Sequence, residues 1–346
     1  MVKPRILLLG IVFLFDFGCT SQPVAPPVAD SGPADGRELG LASDAGQTDG
    51  LAAAKPTVTF VVNTHDWYNI DHSAQTLHRL MDLFAKYQIR GEFYFTEGVF
   101  RICEDKHPDV LQRMLAEKMT ISFHMRVPHP VTFGGAKQKE LDALPHDQLV
   151  AELKKYETFA LDLTTGGLTT DEGGYAYMKK KIGYAPPVAG LNAKTKNLED
   201  AELEVLQGMG LQMYVRHHTG DQLQMTKWGV LARPSEFNIG QLETGFWTES
   251  ETPLDPATLF QGAAGYGVVL VHEHDFYAPK VGWSQVYSTS DGKIKPPPWD
   301  LNATNPDYVF HTDAHAEQIW ANYEGFVAYA VKNFNVVTSL EVIQAF

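Results

Sequence analysis

Three short clusters in the sequence carry side chains that bind metal ions and move protons. His65-Asp66-Trp67 is the first, His124 and His129 within HMRVPHP the second, and His272-Glu273-His274-Asp275 the third. One carboxylate and two imidazoles make an open three-ligand set that leaves a position for water or substrate. An ion so held lowers the pKa of bound water towards neutrality and polarises a carbonyl oxygen, the chemistry of hydrolysis. His124 and His129 are five residues apart, about 140° around a helix, so a helix cannot aim both at one ion. Pro128 also argues against a helix there, and a loop after a strand can bring both in. His272 and His274 are two apart and point to opposite faces of a regular strand, so one faces a site unless the strand has already ended. Glu273 or Asp275 would orient whichever does.

Other candidates are weaker. His311 and His315, four apart with Asp313 between them, could share a helix face and hold a second metal, but they read as a solvated helix start before Ala316 and Ile319. His217-His218 follow a strand and receive no role. The pairs Gly166-Gly167 and Gly173-Gly174 flank no strand-to-helix phosphate pattern and read as turns. No GxSxG elbow occurs, which argues against a serine hydrolase. Trp67, Trp283 and Trp299 are candidates for stacking on sugar rings or for packing.

The clusters need strands to present them, and the hydropathy pattern supplies these. TVTFVVNT, GEFYFTE, MTISFH, MYVRHH and VGWSQVY read as extended, and YAPPV is a short segment after a Gly-rich turn. GVVLVHEHDF is a continuous apolar strand, the pattern of one buried on both faces. Between them lie amphipathic helices. One carries Leu77, Leu80, Met81 and Phe84, a second is HPDVLQRMLAEK, a third HDQLVAELKKYETFALDL, and a fourth begins near Asn197 with Leu198, Leu203 and Leu206 on one side. Asp255 followed by Pro256 reads as an N-cap with proline at N1. A last helix over 314–332 leads to the strand NVVTSL. Repeated βα units imply parallel strands, in an open sheet or a (β/α) barrel. In a barrel the reactive face is the C-terminal end of the strands, where all three clusters fall. The segment 278–308 is too long for a plain connection and is expected to form a lid or cleft wall.

With 346 residues, 44% hydrophobic, the chain can bury a sizeable core. A net charge of −14 without a basic run argues against nucleic-acid binding. Its two cysteines, Cys19 and Cys103, build neither a disulfide framework nor a CxxC zinc site. Lys3 and Arg5 precede the apolar run Ile6 to Phe15, which has the order of a secretory signal. Cys19 directly after Gly18 resembles the lipid-attachment cysteine of a bacterial lipoprotein, although Asp16 departs from that pattern. Residues 20–55 are rich in Pro, Ala, Gly, Ser and Asp and are expected to form a flexible tether. The expected organisation is an export signal over 1–19, a tether over 20–55 and a catalytic domain over 56–346, lipid-anchored in a bacterial envelope. Cys103 is expected to be a buried structural residue.

The order of the motifs resembles the polysaccharide deacetylases of the NodB-homology class, carbohydrate esterase family 4. In the place of that family's strand ending in two aspartates stands TFVVNTHDW. In the place of its His-x3-His motif stands HMRVPHP, with one residue more between the histidines. Tyr184-Ala185-Pro186-Pro187-Val188 replaces Arg-Pro-Pro-aromatic, and Leu270-Val271-His272 matches the closing Leu-His strand. The resemblance covers Thr57 to Phe346 and implies a distorted (β/α) barrel.

Carried over, it makes Asp66, His124 and His129 the metal ligands, with zinc the expected ion, and His272 the general acid. The backbone N–H near Val188 would help to hold the oxyanion. The family's aspartate base is replaced by His65 and its base-orienting arginine by Ala185. The two replacements are mutually consistent, because an arginine beside an imidazole would disfavour its protonation. They fit a site rebuilt around a histidine base, and equally a site that has lost catalysis and kept a metal. The expected function is metal-dependent removal of N-acetyl groups from an amino-sugar polymer, with membrane contact only through the lipid anchor. The alternatives are the same hydrolysis on a small cyclic amide or an acetyl ester, and a non-catalytic carbohydrate- or metal-binding lipoprotein.

Overall fold

The computed structural model describes residues 55–65, 69–132, 135–191, 193–216, 223–233, 255–261, 265–279, 286–289, 294–301 and 309–346. Cys19, Asp66, Trp67, His217, His218 and Trp283 fall outside them, as do the expected signal and all but the last residue of the tether.

The apolar runs become parallel strands. β1 (Thr57–Asn63), β2 (Glu92–Phe95), β3 (Thr120–His124), β6 (Val188–Leu191), β7 (Met213–Arg216), β9 (Leu231–Arg233) and β10 (Tyr266–His272) lie in the order β10-β1-β2-β3-β6-β7-β9, each pair parallel. β8 (Gln224–Met225) adds an antiparallel edge, and β11 (Asn335–Val336) pairs with the start of β1. The sheet forms a half-barrel, so the expected distorted (β/α) barrel is found in an open form. Strand residues alternate between two apolar layers. Val58, Phe60, Val62, Val269 and Val271 face the helices, while Val61, Val268 and Leu270 face inward with Val188, Met213, Val215 and Leu231. β10 is therefore buried on both sides, as its unbroken apolar run requires.

Helix α1 (Ile70–Lys86) buries Leu77, Leu80, Met81 and Phe84 completely. Each large apolar side chain so buried contributes about 1.5–3 kcal/mol. Asn69 caps this helix by accepting the His72 N–H at 3.0 Å. Helices α2 (Glu97–Lys106), α3 (Pro108–Ala116), α4 (Ala136–Asp142), α5 (His146–Tyr156), α6 (Gly174–Ile182) and α7 (Lys196–Met209) follow. Asp255 caps the short helix Pro256–Leu259 through Ala257 N–H at 3.0 Å, as expected. The long helix Asp313–Asn333 precedes β11. Cys103 is wholly buried, and burial pushes its thiol pKa up.

Several elements differ from expectation. The third helix stops at Tyr156, and Phe159–Leu161 instead pairs as β4 with β5 (Leu168–Glu172). NVVTSL supplies only the two strand residues of β11. Thr338 then starts the helix Ser339–Ala345 with a reciprocal cap, bonding to Glu341 while Glu341 accepts the Thr338 N–H at 2.8 Å. This last helix lies against the inward layer through Val342 and Ile343, and the buried Glu92 of β2 ties it down by accepting the Ser339 N–H at 3.3 Å. GVVLVHEHDF is a strand only to His272, after which Glu273–Phe276 turns into one 3-10 turn. VGWSQVY falls mostly outside the described residues.

Two features of the sheet generate predictions. Gly190 of β6 pairs with His124 of β3, and a Cβ there would stand 2.7 Å from His124 Cδ2 and 2.9 Å from Nε2. Gly190→Ala is therefore expected to displace the imidazole and to cost about 1–3 kcal/mol by overpacking, measured by urea denaturation. Further round, Asp200 of α7 accepts bonds from Lys196, from Lys227 Nζ at 2.9 Å and from Trp228 Nε1 at 3.3 Å. Burial opposes its ionisation, but these donors outweigh it and hold the carboxyl at about 2, against an ordinary 3.8. A depressed carboxylate stabilises the fold above its ordinary value and loses that contribution as pH falls towards 2. Asp200→Asn is expected to lower stability at neutral pH and to flatten the acid limb between about pH 5 and 2, read by denaturation at each pH.

Candidate active site

The pairing of β1 with β10 runs in register to Asn63 opposite His272, so the two strands end side by side. His65 follows two residues after β1, and the intervening Thr64 is fixed by its N–H bond to Tyr94 O at 2.8 Å. His124 ends β3. The imidazole of His65 stands 4.3 Å from that of His124 and 5.0 Å from that of His272, between ring centroids. Three strand ends thus deliver three largely buried imidazoles to one place. His124 Nδ1 lies 3.2 Å from Met125 O, which puts its ring proton there and makes Nε2 the acceptor nitrogen.

His272 is held from two sides. The Asn63 side-chain amide lies 3.3 Å from Nε2, and Asp275 approaches Nδ1 to 3.8 Å while accepting the His272 N–H at 2.9 Å. The buried Asp275 carboxylate thus stands beside the ring on its Nδ1 side. The strand has ended before His274, which is buried and lies 3.3 Å from Asp275. His274 and Glu273 thus belong to the wall behind His272, where Ser73 Oγ donates to Glu273 at 3.2 Å. His311 also joins this wall, its Nε2 3.2 Å from Asp275 O, at the start of the long helix whose cap is Thr312.

Arg126 was not singled out by the sequence reading, although it stands inside HMRVPHP. Its Nε donates to His65 Nδ1 at 3.5 Å. The arginine missing at Ala185 therefore has a counterpart on another loop. With Nδ1 accepting, the neutral ring carries its proton on Nε2.

His129 has other neighbours. Its Nδ1 accepts the Val131 N–H at 3.3 Å, and its Nε2 lies 3.1 Å from Glu157 Oε1. Together with Glu202 these residues present three donor atoms all within 4.8 Å of one another. Among the described residues no other group of three His, Cys, Asp or Glu side chains does so. Of the three ligands expected from the resemblance, His124 lies beside His65, His129 lies beside Glu157 and Glu202, both histidines line one cleft, and Asp66 lies outside the described residues. Glu157 and Glu202 were missed. The signal for Glu202 was a carboxylate four residues after Leu198 on the apolar face of α7.

One cleft of about 790 Å³ is lined by His65, His124, Arg126, His129 and Glu157. Val286, Tyr287 and Leu301 line it too, so the described part of 278–308 forms a cleft wall, as expected of so long a segment. Trp299 packs within that wall, donating through N–H to Leu163 O at 2.8 Å and through Nε1 to Lys295 O at 2.9 Å. Val188 opens β6, two positions before the Gly190 that pairs with His124, and its side chain is fully buried in the inward layer. It sits at the N-terminal end of its strand, while the imidazoles gather at C-terminal ends.

No family model matches the sequence, and no curated protein matches it. Among solved structures the chain is similar to the 4-alpha-glucanotransferase from Thermococcus litoralis, with 12% identity and a TM-score of 0.47 over 85% of this chain. The similarity spans only 41% of that enzyme's length. It is similar as well to a Mycobacterium smegmatis protein assigned as a polysaccharide deacetylase, with 11% identity and a TM-score of 0.46 over 89% of this chain and 94% of that one. A third is a CE4-family pseudoenzyme from Bacillus anthracis, with 9% identity and a TM-score of 0.38 over 84% and 66%. The strand order and the open, mainly parallel sheet fit the (β/α) architecture that the motif order implies.

Proposed function

We propose that the chain is a metal-dependent hydrolase of amide bonds that removes N-acetyl groups from an amino-sugar polymer. The observation that carries this reading is the meeting of His65, His124 and His272 at the ends of three parallel strands, with His65 and His124 lining a cleft. In this reading Asp66 and His124 hold the ion, with His129 as the third ligand carried over from the resemblance, and zinc suits such a set. The metal supplies a water of lowered pKa and polarises the acetamide carbonyl when bound. His65 receives the proton of the attacking water once Arg126 turns to the substrate and releases Nδ1. His272, protonated and oriented by Asp275, gives its proton to the departing amine. Export, with attachment through Cys19 and the tether, would set the domain beside an envelope polymer. Among the described residues no helix is long and apolar enough to cross a membrane.

A second reading is a carbohydrate-binding protein without activity, and the bond from Arg126 to His65 favours it. A guanidinium beside an imidazole disfavours uptake of a proton. That reading predicts sugar binding that persists in His272→Ala, with no acetate released.

The deciding measurement is acetate release from N-acetylglucosamine oligomers by the full chain, with and without chelation. Hydrolysis is expected to stop on chelation, to return with zinc, and to fall at least about a hundredfold in Asp66→Ala and in His272→Ala. A folded, metal-loaded chain that releases no acetate would overturn the N-acetyl reading.

A further inference from the structure

The cleft wall holds two carboxylates that the mechanism above does not use. Glu157 follows the last residue of α5, and Glu202 lies on the buried face of α7 between Leu198 and Leu206. Both are 0% exposed. Neither oxygen of Glu202 has a hydrogen-bond partner, and Glu157 satisfies only Oε2, through the Tyr175 N–H at 2.9 Å. Among the described residues no lysine or arginine forms an ion pair with either, although such buried charges are costly unless paired. His129 Nε2 comes within 3.1 Å of Glu157 Oε1 without the alignment of a hydrogen bond. Three donor atoms within 4.8 Å of one another need only a small side-chain shift to close around one ion at about 2.0–2.2 Å.

We propose that His129, Glu157 and Glu202 form a divalent-cation site in the wall of the cleft, separate from the imidazole cluster. One imidazole with two carboxylates suits zinc or manganese, whereas magnesium and calcium prefer all-oxygen shells. His129 and Glu157 line the cleft, so the ion has a route in. The cation takes the place of the proton on Nε2. That proton passes to Nδ1, the Val131 N–H gives up its bond there, and Glu202, which burial keeps protonated, loses its proton to solvent as it binds the ion as a carboxylate. This goes beyond the hydrolase reading and alters it at one residue. His129 serves this ion, and the ion of that reading keeps Asp66, His124 and solvent.

The test uses zinc as the probe and metal content and thermal stability as readouts, so the outcome of the acetate assay does not bear on it. In a full chain carrying Asp66→Ala, about one bound zinc per chain is expected, with a zinc-dependent rise in Tm. Adding Glu202→Gln, which keeps the shape and removes the charge, is expected to weaken zinc binding about tenfold or more and to abolish that rise. Should this double variant fail to fold, as read by circular dichroism, His129→Asn in the same background replaces it with the same expectation. Zinc affinity unchanged by the second substitution, or a folded Asp66→Ala chain that binds no zinc, would overturn the site.

Discussion

The parallel pairing of β1 with β10 is the constraint on which the rest depends. Seven residue pairs hold it in register from Thr57 opposite Tyr266 to Asn63 opposite His272. A slip of one residue would turn Val58, Phe60 and Val62 from the helix layer to the inward layer and bury the wrong set. It would also carry Asn63 away from His272, to whose ring it is bonded. The register that builds the core is therefore the register that builds the site. The apolar run that makes β10 a doubly buried strand stops at His272, where the chain first has polar groups to place.

What happens beyond the strand ends follows from burial. Glu273, His274 and Asp275 are wholly enclosed, and each must find partners within the protein. The 3-10 turn provides them, curling Asp275 back onto the His272 N–H, while His311, just before the long helix, reaches the Asp275 carbonyl. This polar wall fixes His272 more firmly than a flexible loop could. His65 is met by Arg126 from a neighbouring loop, whose Nε donates to its Nδ1. The candidate acid is thus set by its own strand and turn, and the candidate base by a neighbouring loop.

Legibility in the sequence followed the same division. Helix α1 was plain because Leu77, Leu80, Met81 and Phe84 mark one face. Helix α2 was missed, since only Val99, Phe100 and Cys103 are buried in its ten residues. Helix α6 was hidden behind Gly173-Gly174 and its run Lys179-Lys180-Lys181. In NVVTSL the β-branched residues suggested a strand, but the signal that wins is the cap formed by Thr338 with Glu341. Phe159–Leu161 looked like more helix because its partner, β5, lies beyond a turn that no local pattern announces. At the site, the three strand-end clusters were readable as residue types, and the imidazoles of His65, His124 and His272 do meet. Arg126, Glu157 and Glu202 were not readable, because their partners come from distant segments.

His129 illustrates how little separates one arrangement from another. The family that HMRVPHP resembles has three residues between its histidines, and this chain has four. An added residue in a short loop cannot be absorbed without turning the second side chain, since β3 fixes the first at His124. Here the loop closes on its own bonds, with His129 N–H donating to Arg126 O at 2.9 Å and Thr132 N–H to His129 O at 3.2 Å. These turns bring the His129 ring against Tyr156 and Glu157, where α5 ends. In the same loop Arg126 faces His65. The loop with four residues between its histidines thus carries both the arginine beside the candidate base and the histidine beside the buried glutamates.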